Sequence, residues 1–359
     1  MSEKPTPSRS GIRRRTFLAG TAAAAGAGIA LAGTSHAAPA GNGRFPFPQT
    51  GSTARILITG DAGTGEAPQY AVTKAARALH AQNPFGMAVG LGDNIYETGP
   101  NGPDDHQFAE KFEKPNTGLD FPWVMALGNH DNSAVFPGDG GWLLRGDAEV
   151  AYHSRSSRWY MPRRYFSVAV PQQTPLVEFF ILDLNPIAAY IPPFLAPYWE
   201  PQGTYMTQQR QWLRKALAES KARWKIVGTH HPYLNNGPHG SAGHYDGIPI
   251  PPINGILVKD FFEQEIAGRA QFFLSGHDHS LQVFDPTTLS KGTRQLVSGA
   301  AAKSVEDRSS KETPALYENY SSRGFMTMDI TESAVDLKVF TVDLASGTPT
   351  QAFGKVYSG

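Results

Sequence analysis

The chain has 359 residues, 32 basic and 32 acidic side chains, and no cysteine. Balanced charge excludes the basic stripe that a nucleic-acid surface requires, and the missing thiols exclude disulfides and thiolate zinc sites.

Residues 1–40 read as a signal peptide rather than fold. Arg13-Arg14-Arg15-Thr16-Phe17-Leu18 precedes a weakly apolar Ala/Gly run to Leu31-Ala32, and no acid stands between Glu3 and residue 40. Two small-x-Ala cleavage sequences follow, Ser35-His36-Ala37 and Ala38-Pro39-Ala40. Paired arginines before such a run mark twin-arginine export, which moves proteins already folded. The expectation is a periplasmic or secreted protein with the twin-arginine machinery as a partner. A membrane span takes ~20 apolar residues, and this run is short and poor in large side chains. No membrane association is expected once the signal is removed. Without residues 1–40, which hold five bases and one acid, 27 bases face 31 acids, a net charge of −4.

Residues 41–53 read as a polar linker and 54–359 as one catalytic domain, long enough for a large core. Residues 55–59 predict a buried strand, 70–81 a helix with Ala71, Ala75 and Leu79 on one face, and 87–91 a second strand. A short amphipathic helix over 106–112 and a third strand over 122–127 complete a parallel β-α-β-α-β opening. Residues 165–170 and 177–184 pattern as an antiparallel hairpin. The stretch 185–205 is rich in proline and aromatics, lacks periodicity, and reads as a surface loop. A helix is predicted over 206–220, with Trp212, Leu213 and Leu217 on one face, then a strand over 225–228. Residues 235–252 form a long loop of Gly, Pro and His, a length that is usually functional. A helix over 256–266, a strand over 271–274 and a hairpin over 324–330 and 335–342 follow. A parallel α/β start with antiparallel additions predicts two packed mixed β-sheets flanked by helices.

Five predicted strands end in loops carrying metal-type ligands. They are Gly60-Asp61-Ala62-Gly63, Gly92-Asp93-Asn94-Ile95-Tyr96, Gly128-Asn129-His130-Asp131, Gly228-Thr229-His230-His231-Pro232 and Gly276-His277-Asp278-His279. Open α/β sheets build sites at such strand ends. The donors Asp61, Asp93, Tyr96, Asn129, His130, His230, His277 and His279 exceed what one ion uses, about four to six. Two ions ~3.5–4 Å apart sharing a carboxylate fit better, with Asp93 at the centre. Gly60-Asp61-Ala62-Gly63-Thr64-Gly65 also imitates a phosphate loop of a nucleotide-binding oxidoreductase. Its spacing misses GxGxxG, however, and the Walker lysine is absent.

In order, these five blocks resemble the calcineurin-like metallophosphoesterases. Most of that superfamily places a His two residues after the first Asp, where this chain has Gly63, and Tyr96 stands three residues after the second Asp instead. That exchange resembles the purple acid phosphatases, and Trp159 with the helix over 208–217 is similar to their small, single-domain, mammalian-type members. The resemblance covers 54–345 and breaks in 185–205 and at Asn132, where those relatives carry another His.

The resemblance implies a four-layer αββα fold and a metal-dependent acid phosphatase. Asp61, Asp93, Tyr96 and His279 would hold Fe(III), with Asp93 bridging to a divalent Fe, Zn or Mn ion on Asn129, His230 and His277. A metal-bound hydroxide would attack a small-molecule phosphate monoester, with an acidic pH preference. His239, nine residues after His230, and His130 would protonate the leaving group, and His231 and His244 would line the substrate pocket. The alternatives are an exported phosphodiesterase with the same core and a non-catalytic phosphate- or iron-binding protein.

Overall fold

Short runs rich in β-branched and aromatic residues build two seven-stranded mixed sheets. The computed structural model describes residues 44–305 and 313–359; the signal peptide and the first residues of the linker lie outside the described residues. The first sheet begins with β1 (Thr53–Thr59), β2 (Met87–Gly90), β3 (Trp123–Met125) and β4 (Trp159–Tyr160). The second takes β5 (Phe166–Val170), β6 (Val177–Ile181), β7 (Trp224–Gly228), β8 (Phe272–Ser275), β9 (Leu281–Phe284), β10 (Arg294–Ser298) and β11 (Tyr317–Asn319). The chain then returns to the first sheet with β12 (Gly324–Thr331), β13 (Ala334–Asp343) and β14 (Thr348–Ser358). The strand orders are β14-β13-β12-β1-β2-β3-β4 and β11-β9-β10-β8-β7-β6-β5.

β1, β2, β3 and β4 are parallel neighbours, as are β6, β7 and β8. The pairs β5–β6 and β12–β13 are the two predicted antiparallel hairpins. Ile56, Leu57 and Ile58 are all fully buried, because one face of β1 meets the opposite sheet and the other meets helix α1 (Ala67–Gln82). A strand covered on both sides reads as a continuous apolar run. Helix α2 (Gly146–Tyr152) and the single turn α3 (Ala196–Trp199) precede α4 (Thr204–Glu219) and α5 (Ile256–Phe261). Met206, Leu213 and Leu217 of α4 and Val258 and Phe261 of α5 pack with Phe180, Val227 and Phe273 of the second sheet in a separate core layer. Helix, sheet, sheet and helix thus form the four expected layers.

Three local expectations change. Residues 44–53 are no free linker: Phe45 and Phe47 are buried, each with its ring edge on Tyr160 at 5.1 and 4.9 Å. The stretch 185–205 is not a plain surface loop, since Asn185, Pro186 and Ile187 are buried and Trp199 packs 4.4 Å from Tyr205. Its apolar residues anchor single turns, which leave no repeat for periodicity to detect. The eleven residues of β14 carry few inward apolar side chains and are held by backbone pairing to β13, so the pattern is silent there.

Candidate metal centre

The ends of β1, β2 and β3 in one sheet meet the ends of β7 and β8 in the other. The loops after β1 and β2 are laced by backbone bonds, Asp61 N to Gly92 O (3.0 Å), Gly63 N to Asp93 O (3.1 Å) and Tyr96 N to Gly63 O (2.9 Å). A Cβ on Gly63 would lie 1.9 Å from Asn94 O. The neighbouring loop backbone therefore leaves no room for a side chain at 63, and Tyr96 enters from that loop. Asp61, Asp93 and His277 sit at φ of 58°, 52° and 70°. Asp and His are among the non-glycine residues that adopt left-handed backbone most readily, and such positions cluster at functional sites.

The donors converge in two groups that meet at Asp93. In the first, Tyr96 Oη donates to Asp61 Oδ1 at 3.1 Å and lies 3.1 Å from His279 Nε2. Ligand atoms of Asp61, Asp93 and His279 all fall within 4.8 Å of one another. In the second, Asn129 Nδ2 donates to Gly138 O at 3.0 Å, which turns Oδ1 inward, 2.7 Å from His230 Nε2 and 3.1 Å from His277 Nδ1. Asp93 Oδ1 stands 3.4 Å from His230 Nε2 and accepts the His130 backbone N–H at 2.9 Å.

The chemistry of this donor set fits a cation pair. His230 Nδ1 lies 2.9 Å from Leu91 O; a carbonyl only accepts, so the ring proton sits on Nδ1 and Nε2 presents a lone pair. Burial, ahead of the neighbouring charges, pushes the pKa values of His230 and His277 below the usual histidine range and that of His279 down to about 3. The neutral His230 ring then sets its Nε2 lone pair against the Asn129 amide oxygen and an Asp93 carboxylate oxygen, acceptor against acceptor. Burial and then the Asp93 charge raise the Asp61 carboxyl well above its ordinary value. Burial, with Asp61 and Asp93 beside it, raises the Tyr96 phenol well above its ordinary value. A positive charge among these groups relieves all of the mismatches at once.

Four further histidines belong to the expected site, and three lie at it. His130 Nδ1 is 2.6 Å from Glu97 O, and its ring is 4.4 Å from that of Tyr96. His239 Nδ1 pairs with Asp246 Oδ1 at 2.7 Å, and its ring is 4.5 Å from that of His277. Burial lowers the pKa of His239, but Asp246 more than compensates and the net shift is upward. His231 is 4% exposed, its Nδ1 is buried without a partner, and its ring lies 4.8 Å from that of His277. His244 is not brought to the site: it is exposed and lies outside the cleft that His231 lines. The glycines at 240 and 243 turn the chain at positive φ, so the spacing after His230 does not continue inward.

Several residues escaped the sequence reading. Asp131 accepts the backbone N–H groups of Asn94, Ile95 and Gly128 at 2.9, 3.0 and 2.7 Å, tying the loops after β2 and β3 together. Burial and then Asp93 raise its pKa to about 6. Asp278 accepts His239 N at 3.2 Å and Asn235 Nδ2 at 3.0 Å, bracing the loop that carries His239. Both stand inside ligand blocks, so their type and position were a usable signal. Asp246 and Glu149, which accepts Asn94 Nδ2 at 2.9 Å, had none. Lys303 Nζ sits 3.5 Å from the centre of the Tyr96 ring and 3.1 Å from Glu97 Oε1. Asn132, the other departure from the relatives, is fully buried and accepts from Arg164 Nη2 at 2.7 Å; it serves the core rather than the cleft.

Two packed mixed sheets that bring a nest of oxygen and imidazole donors to one edge are the scaffold of a phosphoesterase. The chain belongs to the calcineurin-like phosphoesterase family, whose profile matches residues 54–281. It is 28% identical over 312 residues to purple acid phosphatase 4 of Arabidopsis thaliana, covering 82% of each chain. It is 28% identical over 262 residues to tartrate-resistant acid phosphatase type 5 of Rattus norvegicus, covering 69% of this chain and 72% of that one. Among solved structures, GAP50, the anchor in the inner membrane complex of Plasmodium, superposes with a TM-score of 0.64 at 15% identity, over 86% of this chain and 89% of that one. That likeness shows the fold. Family and relatives together support a phosphatase function, and the acid phosphatase relatives imply a binuclear metal centre.

Proposed function

We propose that the chain is an acid phosphatase of the purple type, a hydrolase of phosphate monoesters with a mixed-valence or mixed-metal pair. The observation that carries this is Tyr96 Oη, 3.1 Å from both Asp61 Oδ1 and His279 Nε2, beside a Gly63 that rejects a histidine. Asp61, Tyr96, His279 and Asp93 would hold the ferric ion, and Asp93, Asn129, His230 and His277 the divalent Fe, Zn or Mn. When bound, such a pair acts as a Lewis acid toward phosphoryl oxygens and lowers the pKa of water.

The chain's own residues do the rest. The Gly138 carbonyl and the Leu91 carbonyl lock the Asn129 amide and the His230 ring, so the donors need no reorganisation. As the P–O bond to the alcohol breaks, the leaving oxygen needs a proton. His239 gives it from Nε2, the ring nitrogen left free once Nδ1 is on Asp246. His130 keeps Nδ1 on the Glu97 carbonyl and turns Nε2 toward Gly138, beside the cleft. Asp246 raises the pKa of His239, so this donor stays protonated throughout the acidic range.

The test loads the purified chain with iron and zinc, then compares nitrophenyl phosphate with bis-nitrophenyl phosphate and records the visible spectrum. Faster cleavage of the diester would replace this reading with a phosphodiesterase. Full metal content without turnover on either would leave a phosphate- or iron-binding protein.

Export belongs to the same proposal, motivated by Arg14-Arg15 with Phe17-Leu18, which lie outside the described residues. No helix among the described residues is long and apolar enough to cross a membrane. Replacing both arginines with lysine should hold precursor in the cytoplasm. Undiminished export of the double variant would dismiss the twin-arginine route.

A further inference from the structure

The stretch 185–205, where the family resemblance breaks, reaches the cleft beside the donor set. That cleft is lined by Asn129 and His277, by Ala189 and Tyr190 of this stretch, and by Ile248 and Ile253 of the long loop before α5. Close packing fixes the arrangement. A Cβ on Gly140 would stand 3.2 Å from Cβ of both Ala189 and Asn129, and one on Gly141 would lie 2.2 Å from Tyr190 O. The loop whose Gly138 carbonyl orients Asn129 thus packs directly against the stretch that holds Tyr190.

Three large apolar side chains on the segments around the cleft are left in water. Tyr190 is 61% exposed, Ile250 58% and Phe136 70%. A single exposed apolar residue is ordinary, but three on the three segments that border one cleft form a surface that gains by being covered. The charged side chains lining the cleft are Asp139 and Asp246, and no lysine or arginine among the described residues lines it. One Asp139 carboxylate oxygen is buried without a partner. Asp246 is paired with His239, so a second anionic group on the substrate would meet the Asp139 carboxylate with no lysine or arginine among the described residues lining the cleft to offset it.

We infer that the preferred substrate is a phosphate monoester of an apolar alcohol, alkyl or aryl, with no second anionic group. This rests on the monoesterase reading of the donor set. The phosphate occupies the donor end, and the carbon chain lies along Ala189, Tyr190, Ile248 and Ile253. Continuity of those side chains with Asn129 and His277 in one cleft commits the surface to the substrate's own alcohol.

The experiment measures kcat/KM of the metal-loaded protein along the straight-chain series from ethyl to hexyl phosphate. Leaving-group basicity is nearly constant along it, so chemistry alone predicts no trend. Burial of each added methylene should raise kcat/KM about fourfold until the cleft is filled. A hexyl phosphate carrying a terminal carboxylate should fall back toward the ethyl ester. Tyr190→Ala, at an exposed position that the fold does not need, should flatten the slope. A flat series in the wild type, or equal rates with and without the carboxylate, overturns the inference while leaving the monoesterase standing. Failure to cleave any member, nitrophenyl phosphate included, sinks the monoesterase reading and this inference with it.

Discussion

His230 Nε2 and Asn129 Oδ1 stand 2.7 Å apart, and neither atom carries a hydrogen. The ring's proton is committed to the Leu91 carbonyl and the amide's hydrogens to the Gly138 side. Two facing lone pairs repel, and burial forbids water from screening them. A cation between or beside them turns that cost into binding energy.

Metal removal should therefore lower stability markedly. Free metal at a thousand times its Kd stabilises a folded protein by about 4 kcal/mol. Thermal scans before chelation, after it and after divalent-ion return should show a midpoint that falls and recovers. A midpoint unmoved by proven metal loss would contradict the donor assignment.

Tyr96 decides the type of centre. A phenolate on ferric iron gives a purple or pink protein through charge transfer, with no other chromophore in the chain. Tyr96→Phe keeps the buried ring and its place under Lys303 but loses the donor oxygen. The variant should fold, bind iron more weakly and lack the visible band. A colourless wild type with full iron content and normal activity would show that Tyr96 is not a ligand.

In the proposed mechanism, His239 and Asp246 set the leaving-group chemistry. His239→Ala should cost ~10²–10⁴-fold on alkyl phosphates and far less on nitrophenyl phosphate, whose leaving group needs little proton help. Because Asp246 raises the pKa of His239, the active protonated ring persists at low pH and is lost as pH rises through that pKa. Asp246→Asn removes the raising partner, so the basic limb of the kcat/KM profile should move to lower pH. An unchanged limb would detach the pair from proton transfer.

Gly63 should tolerate no side chain. A Cβ there meets the Asn94 carbonyl at 1.9 Å, and that backbone is laced to both ligand loops. Gly63→Ala should destabilise by at least the ~1–3 kcal/mol of a typical overpacked position, and Gly63→His should not create an extra ligand. Wild-type denaturation of either variant would mean that the loops give way more easily than their bonds suggest.

The strand-end blocks were legible from the chain alone because chemistry and local geometry coincide there. A buried strand shows itself as an unbroken apolar run, and a glycine followed by Asp, Asn or His marks the loop it delivers. Helices α1 and α4 were legible for a similar reason, since their i, i+3, i+4 spacing follows from bonds within the helix. The antiparallel hairpins and the two-sheet architecture followed from alternation and from the order of those elements.

What only the tertiary structure decided is the direction of side chains in loops. Asp246 pairs with His239 because glycine turns at 240 and 243 fold that loop back on itself, whereas His244, one residue beyond Gly243, faces solvent. Asp131 and Glu149 converge on Asn94 from different segments, and no spacing in the chain encodes that meeting. Phe45 and Phe47 close the core edge from a stretch whose composition reads as a linker. The His230 tautomer depends on a carbonyl 139 residues away. Local spacing specifies backbone paths where hydrogen bonds are local. Where a side chain's partner comes from the opposite sheet, only the packing of the two sheets selects its orientation.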